Sequence, residues 1–143
     1  MTPSHVLVPL DGSPLADDAL VYALELFDCR ITVLNVVTPI DAGMSEGGVL
    51  ETEEERAEAA RERADRLIER AQARAAEMDR TIETAVETGD PAEAILAHVD
   101  ETDVDQVVLG GHGGPRTGVL RRLLGTVATT VVGEAPVPVT VVR

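Results

Sequence analysis

Leu109-Gly110-Gly111-His112-Gly113-Gly114, running on to Gly125-Thr126, carries a residue pattern able to cradle phosphate. An apolar, strand-like run precedes it and a helix-forming stretch follows. Glycines there let the backbone take positive φ and approach a ligand closely, and the free N–H groups at a helix start suit an anion. Farther upstream, Val8-Pro9-Leu10-Asp11-Gly12-Ser13 also joins a strand to a helix. Both segments can therefore border one crevice. The plainer reading of the glycines is that they make tight turns, with Thr126 as a helix N-cap.

Other reactive residue types are sparse. His112 lies within the glycine loop, but no second group is placed to orient it and no serine or cysteine nucleophile accompanies it. His5 and His98 fall on a strand and a helix without metal-ligand spacing. All 12 basic residues are arginine, so there is no Schiff-base lysine and no G-x-x-x-x-G-K-[ST] phosphate loop. Arg116, Arg121 and Arg122 can add charge near a ligand or stand solvated on the surface. The lone Cys29 cannot form an internal disulfide and reads as a small packed hydrophobe.

Composition narrows the partners. A formal charge of -14 over 143 residues, with no Lys/Arg stripe, speaks against DNA, RNA and anionic membrane surfaces. An acidic, lysine-free chain fits a halophilic protein kept soluble in concentrated salt, where self-repulsion is screened within roughly 3 Å at 1 M. There is no signal-peptide core and no long apolar span, so a soluble, cytoplasmic protein is expected. The length suits one domain over 1–143.

The positioning elements follow from periodicity. Five β-branched runs, His5 to Leu10, Ile31 to Val37, Thr81 to Val86, Gln106 to Leu109 and Val137 to Val142, alternate with helical stretches. Such runs read as buried parallel strands of an open α/β sheet with helices on both faces. Ser13-Pro14 starts a helix whose apolar face is read as Leu15, Ala19, Tyr22, Ala23 and Leu26. Asp90-Pro91-Ala92-Glu93 starts another, with a capping box expected between Asp90 and Glu93. From about Leu50 to Met78, Ala57, Ala60, Ala64, Leu67, Ile68, Ala71, Ala75 and Met78 form one narrow stripe. Thr38 to Val49 reads as a connecting loop. Pro138 cannot donate to a ladder, which makes the last strand an edge and pairing with a second copy plausible. Ligands of such sheets bind beyond the carboxyl ends of the strands, where strand order reverses.

Taken in order, Val8-Pro9-Leu10-Asp11-Gly12-Ser13, Gly89-Asp90-Pro91, Gly110-Gly111-His112-Gly113, Gly125-Thr126 and the closing Val137 to Arg143 strand resemble the universal stress protein family across essentially the whole chain. The resemblance implies a five-stranded parallel sheet of order 3-2-1-4-5, a Rossmann-like fold of the adenine nucleotide alpha hydrolase-like type. It also implies a homodimer through the last strand, with Val137, Val139 and Val141 at the interface, and, in one subgroup, bound ATP with Mg²⁺. Pro9, Asp11 and Val36 would meet adenine and ribose; Gly110, Gly113, Gly125, Thr126 and the Val127 N–H would hold the phosphates, with Leu109 also among the nucleotide-binding residues and Arg116 able to add charge. Asp11 can accept from ribose hydroxyls or an adenine amine, or instead from N–H groups of its own turn. The nucleotide-binding subgroup has nine residues between G-x-x-G and the next Gly-Ser/Thr, whereas eleven, Gly114 to Leu124, stand here. Aligning Thr117-Gly118-Val119 places the excess at Gly114-Pro115.

Three functions follow for comparison. One is a dimeric, ATP-binding regulatory module of the stress response whose state an unknown protein partner reads. A second is a dimeric interaction protein that binds no nucleotide. The third, a slow ATP hydrolase, has only His112 to offer as a catalytic group.

Overall fold

The computed structural model describes residues 2–38, 52–111 and 125–143. In chain order the elements are β1 (His5–Pro9), α1 (Pro14–Leu26), β2 (Arg30–Val37), α2 (Glu53–Glu77), β3 (Glu83–Thr88), α3 (Pro91–Glu101), β4 (Gln106–Gly110), α4 (Thr126–Glu134) and β5 (Val139–Val142). The strands form one five-stranded parallel sheet in the order β3-β2-β1-β4-β5. This is the doubly wound arrangement expected from the sequence, with the order reversing between β1 and β4.

Alternation along each strand sends side chains into two cores. Val6, Val8, Ile31, Val33 and Val108 meet α1 and α2 through Ala16, Ala19, Leu20, Ala23, Ala71 and Ala75. Leu7, Leu34, Val107 and Leu109 meet α3 and α4 through Ala92, Ile95, Val99, Ala128 and Val131. Cys29 packs, half-buried, against the first core, and burial pushes its thiol above the ordinary value, which suits a structural residue.

Ser13 caps α1 as expected, accepting from the Ala16 N–H at 3.2 Å, with Pro14 following. The buried face, however, is Ala16, Ala19, Leu20, Ala23 and Leu24, and Leu26 is 59% exposed. The first turn of α1 lies close against the end of β4 at Gly110, which puts Ala16 rather than Leu15 on the buried face, while Leu20 and Leu24 fill the core farther along. The capping box belongs to α2, between Thr52 and Glu55; at α3, Asp90 accepts from the Glu93 N–H at 3.0 Å without the reciprocal bond. Of the alanine stripe on α2, Ala60, Ala64, Ala71 and Ala75 are buried, while Ala57 is exposed.

Two strands begin later than their apolar runs. β3 covers Glu83–Thr88, since its register is set by pairing Thr32 with Glu83 through Val37 with Thr88. β5 begins at Val139: Pro138 contributes its carbonyl to the Val107 N–H at 3.0 Å and nothing more to the ladder.

At the amino ends of the strands, the ring nitrogens of buried His5 lie 2.6 Å from Asp103 Oδ1 and 2.7 Å from Thr32 Oγ1. Arg30 donates to Glu83 at 2.8 Å and to Asp103 at 3.1 Å. The Ser4 and His5 N–H groups donate to Asp105. These bonds hold β1, β2, β3 and the lead into β4 together at the end opposite the carboxyl edge.

Candidate functional site

At the carboxyl edge, β1 hands over to α1 through a short, tightly tied turn. The Leu10 N–H donates to Leu34 O at 2.8 Å, and Asn35 Nδ2 donates to Leu10 O at 2.8 Å. Gly12 follows with φ of +86°, a conformation that favours glycine. Asp11 Oδ1 accepts from the Ser13 N–H at 2.9 Å. The turn-acceptor reading of Asp11 is therefore realised, yet the side chain is exposed and Oδ2 has no partner among the described residues. One carboxylate oxygen holds the turn while the other faces outward.

Across the order reversal, β4 ends at Gly110. Gly111 N–H donates to Val142 O at 2.8 Å, and the Gly125 N–H donates to Gly111 O at 2.6 Å, which docks the start of α4 on the end of β4. Gly125, not Thr126, is the N-cap, because the extended residue before the helix is Gly125; Thr126 is the first helical residue and is exposed. Glycine has no side chain to cap with, and α4 has no side-chain cap bond among the described residues, unlike α1 and α3. The first N–H groups of α4 thus lack, among the described residues, the side-chain partner that Ser13, Thr52 and Asp90 give the other three helices.

Between these two pieces lies a cavity of about 130 Å³. Pro9, Asp11, Val36, Leu109, Gly110 and Val127 line it, so six of the site residues read from the sequence come together. Gly125 and Thr126 adjoin it at the start of α4. Gly113, Arg116 and the remainder of 112–124, with His112, Gly114, Pro115, Arg121 and Arg122, lie outside the described residues, as do residues 39–49 of the connecting loop and the first two residues, 50–51, of the helical stretch read from about Leu50. The cavity walls also include Leu10, Ala16, Leu34, Pro91 and Ile95, which the sequence reading did not name for the site. A signal for Pro91 was present: Asp90-Pro91 opens a helix after β3, and such helices start on the same carboxyl edge. For Ala16, Leu34 and Ile95 no signal distinguishes a cavity wall from core.

The described lining is apolar apart from one carboxylate and backbone groups, and it carries no cation. That chemistry suits a flat, largely apolar moiety with hydrogen-bonding edges, gripped by aliphatic side chains and oriented by Asp11. Val137, Val139 and Val141, the expected interface residues, are half-buried and pack on the α3–α4 core, the last two from the outer strand and Val137 from the segment before it. Among the described residues no group of three metal-liganding side chains is found, and no helix is long and apolar enough to cross a membrane.

A parallel sheet reversed at β1 and β4, with its cavity over that reversal, defines an α/β protein of the doubly wound, Rossmann-like class. Residues 3–143 match the model of the universal stress protein family. The chain belongs to that family. It is 29% identical to universal stress protein MJ0531 of Methanocaldococcus jannaschii over 143 residues, covering 96% of this chain and 81% of that one. The structure of universal stress protein UspA from Lactobacillus plantarum superposes with a TM-score of 0.79 at 24% identity, over 100% of this chain and 99% of that one. A universal stress protein family protein from Arabidopsis thaliana with AMP bound superposes with a TM-score of 0.70 at 22% identity, covering 98% of this chain and 91% of that one.

Proposed function

We propose that this protein is an adenine-nucleotide-binding regulatory module of the stress response, a single domain acting as a homodimer, with ATP and Mg²⁺ as the ligand. The observation that carries the reading is the shared cavity: Pro9, Asp11, Val36, Leu109, Gly110 and Val127 meet around one apolar space beside the glycine-capped start of α4. The adenosine end would occupy the aliphatic space with Asp11 accepting from a hydroxyl or amine. Phosphates would lie toward Gly125, Thr126 and the Val127 N–H, with Gly113 and Arg116 completing the cradle. Mg²⁺ would ride on the phosphates and relieve their repulsion from Asp11. An AMP-bound protein of the same fold supports the adenine choice.

A second reading, an interaction protein without nucleotide, draws support from the two-residue excess at Gly114-Pro115. Titration calorimetry with ATP and Mg²⁺ in concentrated potassium chloride separates the two; the salt suits the charge of -14 and the halophilic, cytoplasmic setting we assign to it. Saturable binding that weakens at least tenfold in Asp11→Ala, about 1.4 kcal/mol, is expected. A folded, nucleotide-free dimer that shows no heat on titration would establish the second reading. Assay of ADP release on the same samples tests turnover, for which no catalytic residue is assigned.

A further inference from the structure

Asn35 is a polar residue only 6% exposed in the middle of an apolar strand, and its side chain does not line the cavity. Its neighbours Leu34 and Val36 form the cavity wall, and alternation points Asn35 to the other side of the sheet. There its amide donates to Leu10 O at 2.8 Å, while the adjacent Leu34 O accepts the Leu10 N–H at 2.8 Å. The partner is a carbonyl, which can only accept, so the nitrogen of the amide must face it. Both backbone polar groups of Leu10 thereby end on two consecutive residues of β2. Pro9 before it has no N–H to offer, and after it come Asp11, Gly12 and the bond from Ser13 N–H to Asp11 Oδ1. The direction in which Asp11 leaves the sheet is fixed by these bonds.

We infer that Asn35 is a positioning residue for the ligand: by holding Leu10 O it aims the free oxygen of Asp11 at the nucleoside end of the cavity. This rests on the nucleotide reading above. A buried, satisfied polar bond of this kind selects one backbone geometry where an apolar residue would allow several. Asn35 therefore acts through Asp11 and touches no ligand itself.

The test is a thermodynamic cycle on the full chain, read by calorimetry with adenosine and with ATP and Mg²⁺. Asn35→Leu keeps the branched skeleton, at somewhat greater bulk, and removes the donor; adenosine affinity is expected to fall at least tenfold with the cooperative melt retained. Asn35→His replaces the amide donor with a ring N–H and should recover affinity to within about threefold. In an Asp11→Ala background, Asn35→Leu should cost less than a further twofold, a coupling that a merely structural role would not produce. Should the leucine variant not fold, Asn35→Asp, which sets an acceptor against Leu10 O, is read in the same cycle. Wild-type affinity in the Asn35 variants, or losses that simply add, would overturn the positioning role alone. A wild-type chain that binds neither adenosine nor ATP would overturn the nucleotide reading, and this inference with it.

Discussion

Gly110 at the end of β4 lies directly against the backbone of Leu15 in the first turn of α1: a Cβ on Gly110 would sit 2.7 Å from the Leu15 carbonyl carbon and 2.8 Å from the Ala16 nitrogen. Real side chains do not approach backbone that closely, so glycine here lets a helix rest on a strand end. Gly110→Ala is expected to force α1 off the sheet and cost about 1–3 kcal/mol of stability. Chemical denaturation measures it directly, and an unchanged midpoint would show that α1 can shift without loss. Because the same residue lines the cavity, a binding defect in this variant is interpretable only beside its stability.

Asp105 supports a second expectation. Hydrogen bonds from Ser4 N–H, first, and from His5 N–H and the Ser4 hydroxyl hold its carboxyl below the usual Asp range. Asp103 is lowered chiefly by its bond to His5, and Glu83 by its bond to Arg30. In each case the unfolded chain takes up a proton at higher pH than the folded one. Their stabilisation is complete above an unfolded value of about 4 and is lost as pH falls through the folded values. Urea denaturation between pH 6 and pH 2.5 should therefore show a falling midpoint below about pH 4. Asp105→Asn should lower the midpoint at pH 6 and flatten that fall. A pH dependence parallel to wild type would mean that Asp105 contributes nothing to acid lability.

The same contrast between local and tertiary causes decides how much could be read beforehand. Ser13-Pro14 and Asp90-Pro91 mark helix starts with local chemistry, and both sit where the sequence puts them. Ala19 and Ala23 lie on the buried face of α1 as expected, and Tyr22 packs partly on the core. The small rotation that buries Ala16, Leu20 and Leu24 in place of Leu15 and Leu26 was not legible, since it depends on Gly110 admitting the first turn so closely. The start of β3 likewise follows from pairing with β2, while Ile82, outside the strand, packs on the first core. At the site, Asp11 and the glycines announced themselves by type. Asn35 did not, since an asparagine inside Ile31 to Val37 gains meaning only when Leu10 O is found opposite it.

Arg80 ties the last turn of α1 to the residue that leads into β2. It donates to Leu24 O at 2.7 Å and to Cys29 O at 3.0 Å, from the turn that follows α2. α1 has no basic residue in its last turn, so this guanidinium supplies the positive charge its terminal carbonyls favour. Arg80→Met, which keeps the apolar stem and removes the donors, is expected to destabilise by about 1–3 kcal/mol. Thermal denaturation of the variant is the measurement, and a melting point within one degree of wild type would refute the bridge.

The outer edge of β5 offers the sharpest test of the proposed dimer. Val107 N–H donates to Pro138 O and Gly111 N–H donates to Val142 O. With Val107 opposite Val139 and Leu109 opposite Val141, the parallel pattern turns the N–H groups of Thr140 and Val142 inward to β4. The N–H and C=O groups of Val139 and Val141 are left on the far side, where no described strand pairs with them. Their side chains already pack on the α3–α4 core, so a charge placed on either valine would disturb the fold along with any interface. A backbone change is cleaner. Val141→Pro removes one outward N–H and no bond to β4, whereas Thr140→Pro removes an inward one. If a second copy pairs along this edge, Val141→Pro should sediment as one chain under conditions where wild type sediments as two, with its cooperative melt retained. Thr140→Pro should instead lose fold stability. A Val141→Pro variant that remains fully dimeric would place the interface elsewhere on the molecule.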